Sequence, residues 1–441
     1  MIGSKPKKTI LSRSEHKVSR KDIDPDALKV LYRLDRHGYT ACLVGGGVRD
    51  LLLGRKPKDF DIGTTAHPNQ VRKLFRNCFL VGRRFRLAHI RFGQKVIECS
   101  TFRRQPEPVD ATNAEEASLY QHRDNTFGTP QEDAWRRDFT INGIFYDIDS
   151  FKVIDYVGGL RDLKKKVIRT IGDPNIRMRE DPVRMLRAIR FASRLGFTIE
   201  RRTWNAMRRH HAEILKASPE RLYEEVQRLF AFGSGASAMQ LLRTSGLLAD
   251  LMPRLEEHLC SSRGAAREFW RYLESLDAQD VTRQNPTGPQ IVSALCYPLF
   301  MEAVDDARAD GAHVIAMHVA QEVVSDVVKN LSVPRRAMQH VIHVFDAQRR
   351  LDGWKQERFS KQRFVARECF LDAAMMYDVH CEALGIAVKH RPWMALYDQV
   401  KHDQGNGESP PQRSRPRRAP RRRRRGGRRT EGGREKAGTG I

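Results

Sequence analysis

Acidic side chains are in short supply in this 441-residue chain: 54 Asp and Glu face 79 Lys and Arg, leaving a formal charge of +25 at pH 7. Such an imbalance favours a polyanionic partner. Long apolar runs are also missing. Each is interrupted well before the ~20 residues that a spanning helix requires, and the stretch from Met1 to Lys21 has Lys and Arg but no apolar h-region. Neither a membrane span nor a secretory leader is expected, and a cytoplasmic location is. Cysteine is sparse and odd in number, with no close pairing among Cys42, Cys78, Cys99, Cys260, Cys296, Cys369 and Cys381. Several lie in apolar segments, which fits buried reduced thiols and argues against zinc or a disulfide framework. No internal repeat recurs. What is present is a hydrophobic content of 40%, enough over this length for two or three domains with real cores.

The most informative segment is Leu43-Val-Gly-Gly-Gly-Val-Arg-Asp50, followed by Asp59-Phe-Asp61. Thr40 to Val44 reads as a short strand, the glycines as a turn, and Val48 to Leu53 as a helix whose first N–H groups can face an anion. Arg49 can reach the same anion beside Gly45 and Gly46. Asp59 and Asp61 are expected in a second strand, Asp59 to Gly63, where alternate residues share a face and Phe60 points into the core. Two surface aspartates on an edge strand would be ordinary solvated charges. Joined to a glycine turn and a basic side chain, they predict a pair of Mg²⁺ ions about 3.5 to 4 Å apart, the arrangement that serves nucleotidyl transfer.

The remaining pattern divides the chain. A helix is expected from about Pro25 to His37, then strands at Cys78 to Val81, Phe85 to Phe92, Lys95 to Phe102, Ile141 to Ile148 and Lys152 to Asp155, with a helix between His67 and Phe75. Arg104 to Gln131 reads as a long loop. From Asp173 onward the spacing is helical, including Val183 to Leu195, Arg221 to Phe230, Ser237 to Leu251 and Arg363 to Val388. The expected class is α+β. Residues 1–22 form a basic arm, 23–160 a mixed-sheet head, 161–250 a helical neck, 251–402 a helical body and 403–441 a disordered basic tail. Thirteen Lys/Arg against two Glu between Arg413 and Lys436 place +11 of the charge in that tail.

The block from Leu43 to Asp61 resembles the class II nucleotidyltransferases, which include the bacterial poly(A) polymerases and the CCA-adding tRNA nucleotidyltransferases. Four later segments resemble that family in order and spacing. Arg136-Arg137-Asp138-Phe-Thr-Ile-Asn142 looks like its ribose-binding motif, Asp155 to Gly159 its head-to-neck hinge, and Ser218 to Glu225 the motif that steadies the neck. Glu180-Asp181-Pro-Val-Arg184-Met-Leu-Arg187 resembles the helix that reads the incoming base. Asp181 offers acceptors and Arg184 a rigid donor fork to a base edge, and Arg187 can then meet the triphosphate. Glu98 lies in an otherwise apolar strand, where an unpaired carboxylate is costly. It is expected as the third catalytic carboxylate, with Asp138 as the competing candidate. His89 is expected to be packed or to face RNA.

Leu80-Val-Gly-Arg-Arg-Phe-Arg-Leu-Ala-His-Ile90 resembles the signature that separates the poly(A) polymerases from the CCA-adding branch. The resemblance therefore implies addition of AMP from ATP to RNA 3′ ends, with CCA addition to tRNA as the alternative. It implies RNA and ATP as partners, RNA-decay or RNA-chaperone proteins as candidate associates, and a monomer. A basic tail suits an enzyme that accepts many RNA ends, because phosphate contacts ignore sequence. Truncation after Asp403 is expected to weaken RNA binding and to flatten its dependence on salt while sparing the chemistry. An unchanged slope of log affinity against log salt would show that the tail serves solubility alone.

Overall fold

Asp24 starts the first helix by accepting the backbone N–H groups of Asp26 at 2.8 Å and Ala27 at 3.4 Å, and Pro25 follows where no donor is needed. The helix, Pro25–Arg36, buries Ala27, Val30, Leu31 and Leu34 along one face, close to the expected span. The structure, a computed structural model, describes residues 7–82, 86–104, 126–280, 285–309, 315–352 and 359–405.

The head is built on a sheet of eight strands among the described residues. These are β1 (Thr9–Leu11), β2 (Ala41–Val44), β3 (Asp61–Thr64), β4 (Cys78–Val81), β5 (Leu87–Phe92), β6 (Lys95–Thr101), β7 (Ile144–Asp147) and β8 (Val153–Asp155). They lie in the order β1-β8-β7-β2-β3-β6-β5-β4. Only β3 and β6 run parallel within it, so the sheet is mixed as expected. Every residue of β2 is buried, and the sheet carries apolar packing on both faces around it. β1 corrects the arm proposed for residues 1–22: Thr9, Ile10 and Leu11 pair with Asp155, Ile154 and Val153, so the chain joins the head from residue 9 onward. The strand expected from Asp59 begins at Asp61. The one expected from Ile141 begins at Ile144, because Thr140–Asn142 forms a 3-10 turn held by the Thr140 hydroxyl on buried Asp162 at 2.8 Å.

Helices make up the rest, apart from a two-residue pairing of Thr198–Ile199 with Val167–Ile168. The stretch expected as one helix from Ser237 to Leu251 divides into Gly235–Ser245 and Leu247–Leu251. Gly246 between them takes a left-handed φ of 90°, which ends the first helix. The stretch from Arg363 to Val388 likewise divides into Lys361–Val365 and Phe370–Leu384. A further helix, Arg391–Gly405, carries order past the boundary drawn at residue 402, anchored by fully buried Trp393. Residues 406–441, with the arginine-rich tail, lie outside the described residues, as do 105–125 of the long loop and 83–85 of the Leu80 to Ile90 segment. All seven cysteines are free thiols and all but Cys260 are buried. No helix among the described residues is long and apolar enough to cross a membrane.

The joint between head and neck is fixed by one carboxylate. Asp155, 1% exposed, accepts the backbone N–H groups of Val157, Gly158 and Leu160, each at 2.9 Å. Gly158 takes a φ of 84°, and a Cβ on Gly159 would lie 2.2 Å from the Thr140 carbonyl oxygen, a backbone atom with little freedom to move. Gly159→Ala is therefore expected to destabilise the protein by about 2 kcal/mol or more. Urea-induced unfolding checks this, and an unchanged midpoint would show that the hinge has room to spare.

Candidate active site

The glycine turn earns its conformation from two close approaches. Gly45 sits at φ 72°, and a side chain there would come within 2.9 Å of the Arg137 guanidinium. Gly47 lies against the backbone of Asp59, whose carbonyl oxygen a Cβ would meet at 3.3 Å. The helix that follows, Gly46–Leu52, starts two residues earlier than expected. Because Val44 pairs with Asp61, the end of β2 delivers the turn directly beside the first aspartate of β3. The Gly-Gly pair and the aspartates are thus neighbours through the register of two strands.

β6 continues this arrangement. Its parallel register places Cys99 beside Ile62, so Glu98 flanks Asp61 on the same face, opposite the buried Ile62 side. Asp61 opens into the cleft yet has protein on most sides. Its carboxyl is pushed up to about 6 by desolvation and by the like charges of Glu98 and Asp59, against the opposing charge of Arg137. Glu98 is not buried as its apolar strand suggested. Half of its side chain is exposed, and His89 approaches it at 3.7 Å. Glu98 is solvated because it lies on the uncovered face of the sheet, so burial imposes no cost on it. Its proximity to Asp61 stands independently.

Asp138 is placed differently. It accepts the Asn142 amide at 3.0 Å, the Phe139 N–H at 2.7 Å and two nitrogens of Arg187, the longer contact at 2.9 Å. Burial raises its carboxyl, and the Arg187 charge with these donors outweighs that, holding it well below the usual carboxylate range. Such a group is a committed counter-charge. Arg49 is 2% exposed, bonded to Asp50 at 2.8 Å and to the Asn142 side-chain oxygen at 2.8 Å. Asn142 thereby ties Arg49 to Asp138.

These groups line a cavity of about 490 Å³ between head and neck. Of the residues expected in the site, Gly45, Gly46, Arg49, Asp61, Arg137, Asp138, Asn142, Asp181, Arg184 and Arg187 form its walls. Asp59 and Glu98 stand beside Asp61 without lining it. Arg136 does not line it either: its guanidinium reaches Asp133 at 3.3 Å, and its carbonyl accepts from Arg177 at 2.6 Å. Arg184 lies on the wall with one nitrogen held by the Arg177 carbonyl at 2.7 Å, while Asp181 accepts from Arg221 at 3.1 Å. The neck helix Pro219–Leu229 contributes more than steadying. Its Glu225, 4% exposed, faces Arg187 at 4.0 Å, Arg190 at 3.4 Å and Arg228 at 2.7 Å. Phe191, Arg221 and Arg228 also line the cavity and were not foreseen, although Arg221 and Arg228 sit at helical spacing from Glu225 and could have been read as one face.

A mixed sheet that sets a glycine turn and carboxylates against an arginine-lined neck defines a nucleotidyltransferase. Residues 41–169 match the family described as "Poly A polymerase head domain", and residues 196–259 match "Probable RNA and SrmB- binding site of polymerase A". Poly(A) polymerase I of Salmonella typhi is 42% identical over 367 residues, 80% of this chain and 78% of that protein; the Haemophilus influenzae protein of the same name is 38% identical over 75% of each. The CCA-adding enzyme of Lactobacillus helveticus is 36% identical over 52% of this chain and 56% of its own. Among solved structures, the Bacillus stearothermophilus CCA-adding enzyme in complex with CTP superposes with a TM-score of 0.62 at 26% identity, covering 87% of this chain and 83% of that one. The Thermotoga maritima CCA-adding enzyme complexed with tRNA, at 19% identity and a TM-score of 0.57 over 89% and 86%, shares the fold. By sequence identity over four-fifths of its length, the chain belongs to the bacterial poly(A) polymerase family and is a polynucleotide adenylyltransferase.

Asp138→Asn should cost roughly 2 kcal/mol of stability, less than a fully buried pair because Arg187 is a third exposed. The depressed Asp138 carboxyl contributes stability that is complete above the ordinary carboxylate value and lost as pH falls below it. The gap between wild type and variant in chemical denaturation should therefore hold from pH 8 to pH 5 and narrow below about pH 4. A gap that narrows near neutrality would show that another group sets it.

Proposed function

We propose that the cleft transfers AMP from ATP to the 3′ hydroxyl of RNA with two Mg²⁺ ions held by Asp59 and Asp61, Glu98 being the third carboxylate. The observation that carries this reading is the placement of Asp61 on the cleft wall beside the glycine turn, with Glu98 level with it on β6 and Asp59 two residues before it; burial and then these like charges push its carboxyl up to about 6. Divalent cations would relieve that repulsion. Mg²⁺ fits, being commonly held by one or two carboxylates and completed by substrate phosphates. Bound there, the ions would lower the pKa of the RNA hydroxyl and neutralise the leaving pyrophosphate.

The chain supplies position and charge around that centre. Arg137 and the N–H groups after Gly45 and Gly46 face the triphosphate, with Arg49 fixed behind them. Asp138 is a positioning residue: it holds Arg187 toward the cleft, and Asn142 aligns both Asp138 and Arg49. Asp181 and Arg184 present acceptor and donor to the adenine edge. Arg136 acts from outside the cleft, through the backbone that Arg177 grips. Catalysis is thus mainly orientation and electrostatics. The enzyme works in the cytoplasm as a monomer on RNA 3′ ends, in polyadenylation and RNA turnover beside RNA-decay or RNA-chaperone proteins; the seven free thiols support a reducing compartment.

With Mg²⁺ and an unstructured RNA, ATP alone should give a long ladder and CTP alone should not. Additions that stop after CCA on a tRNA lacking its terminus would favour the CCA-adding alternative. Asp59→Asn and Asp61→Asn should each lower kcat at least about 100-fold with unfolding unchanged, since each removes a ligand for transition-state charge. Near-normal turnover in either variant would remove that residue from the centre.

A further inference from the structure

The row of side chains that contains Glu98 extends past the carboxylates to the edge of the sheet. Glu98 pairs across strands with His89, and His89 with Phe79, so Asp61, Glu98, His89 and Phe79 occupy successive strands at one level on one face. That face is unlike its opposite. Cys78, Ala88, Ile90, Ile97 and Cys99 point into the core, whereas Phe79 is 55% exposed and Val81 and Val96 also remain exposed. Phe79 and Val81, two residues apart on β4, leave an uncovered apolar strip on this face. A basic side chain accompanies it on the same face: Arg91, two residues from His89 on β5, stands over the Phe79 ring at 5.5 Å.

We infer that this face of β4, β5 and β6 is the track for the 3′-terminal nucleotides of a single-stranded RNA primer, a reading that rests on the catalytic assignment above. Two features select this occupant. The row is continuous with Asp61, where the attacking hydroxyl must arrive, so a strand leaving that point across the sheet meets His89 and then Phe79. The face also pairs an exposed aromatic ring with Arg91, which suits a base plane with its phosphate and gives no choice of sequence. Three interstrand steps span roughly 14 Å, room for roughly two to four nucleotides. Phe79 stacks on a base, Arg91 backs the ring and contacts phosphate, and His89 lies between them and the reacting end.

The test varies an unstructured RNA at saturating ATP, and ATP at saturating RNA, for wild type, Phe79→Ala and Phe79→Tyr. Phe79→Ala should raise the KM for RNA roughly tenfold, the effect of losing one stacked base. Its kcat and its KM for ATP should stay within about twofold, and Phe79→Tyr should restore the KM for RNA. Phe79 is exposed, so folding is not at stake. A 2-aminopurine placed two nucleotides from the 3′ end reports stacking without turnover: its fluorescence should be quenched on wild type and Phe79→Tyr and released on Phe79→Ala. An active wild type with the same KM for RNA and the same quenching in Phe79→Ala would overturn the track while leaving the catalytic reading intact. A wild type that fails to extend RNA would overturn the catalytic reading and the track with it.

Discussion

Among the described residues six arginines line one cleft, and the fold depends on keeping them there without letting their charges drive it apart. Asp50, Asp133, Glu180 and Asp181 hold Arg49, Arg137, Arg184 and Arg221 in turn, and two shared carboxylates hold the rest. Asp138 from the head and Glu225 from the neck take Arg187, Arg190 and Arg228 between them, and both acids are nearly inaccessible to water. The crowding is visible at Arg190, whose guanidinium is pulled down to about 10 by burial and by its arginine neighbours even with Glu225 opposing. It stays charged at neutral pH. A cleft so balanced holds its arginines in place at neutral pH, and the proposed triphosphate would add an anion to its wall.

The same contacts join the lobes. Arg187 belongs to the helix Val183–Leu195 and Asp138 to the head, so their ion pair crosses the opening that the substrate must enter. Arg177 adds a second clamp by donating to the carbonyls of Arg136 and Arg137 from a buried position. Together with the Asp155 cap at the hinge, these fix the distance between the glycine turn and the neck before any ligand arrives. Preorganisation of this kind lowers the ordering that a nucleotide would otherwise impose.

Features governed by local rules were legible in the sequence. Asp24-Pro25 marks a helix start through cap chemistry, and Gly45 to Arg49 marks the turn because only glycine tolerates the left-handed φ and the approach of Arg137. What depended on distant partners was not. β1 has a sequence like any basic arm, and only its pairing with β8 makes it a strand. Glu98 looked buried because its neighbours are apolar, while its actual exposure follows from which face of the sheet is covered. Arg136 looked equivalent to Arg137, and the helix end at Pro130–Arg136 turns one away from the cleft and the other into it. The rival claims of Glu98 and Asp138 could be weighed only once Arg187 was seen to occupy Asp138.

The base reading proposed for Asp181 and Arg184 is bound to this same geometry. Asp181 and Arg184, the pair suited to a base edge, are both tethered: Arg221 holds the first and the Arg177 carbonyl and Glu180 hold the second. Side chains with free rotamers would bond to adenine or cytosine alike by adjusting to either, since both edges offer a donor beside an acceptor. Tethered ones present a fixed donor and acceptor, and discrimination then comes from the penalty of a mismatched, unpaired group in a partly dry cleft. On the proposed assignment of Asp181 and Arg184 to the base edge, the choice of nucleotide rests also on Arg221 and on the backbone carbonyl of Arg177, which need not touch the base.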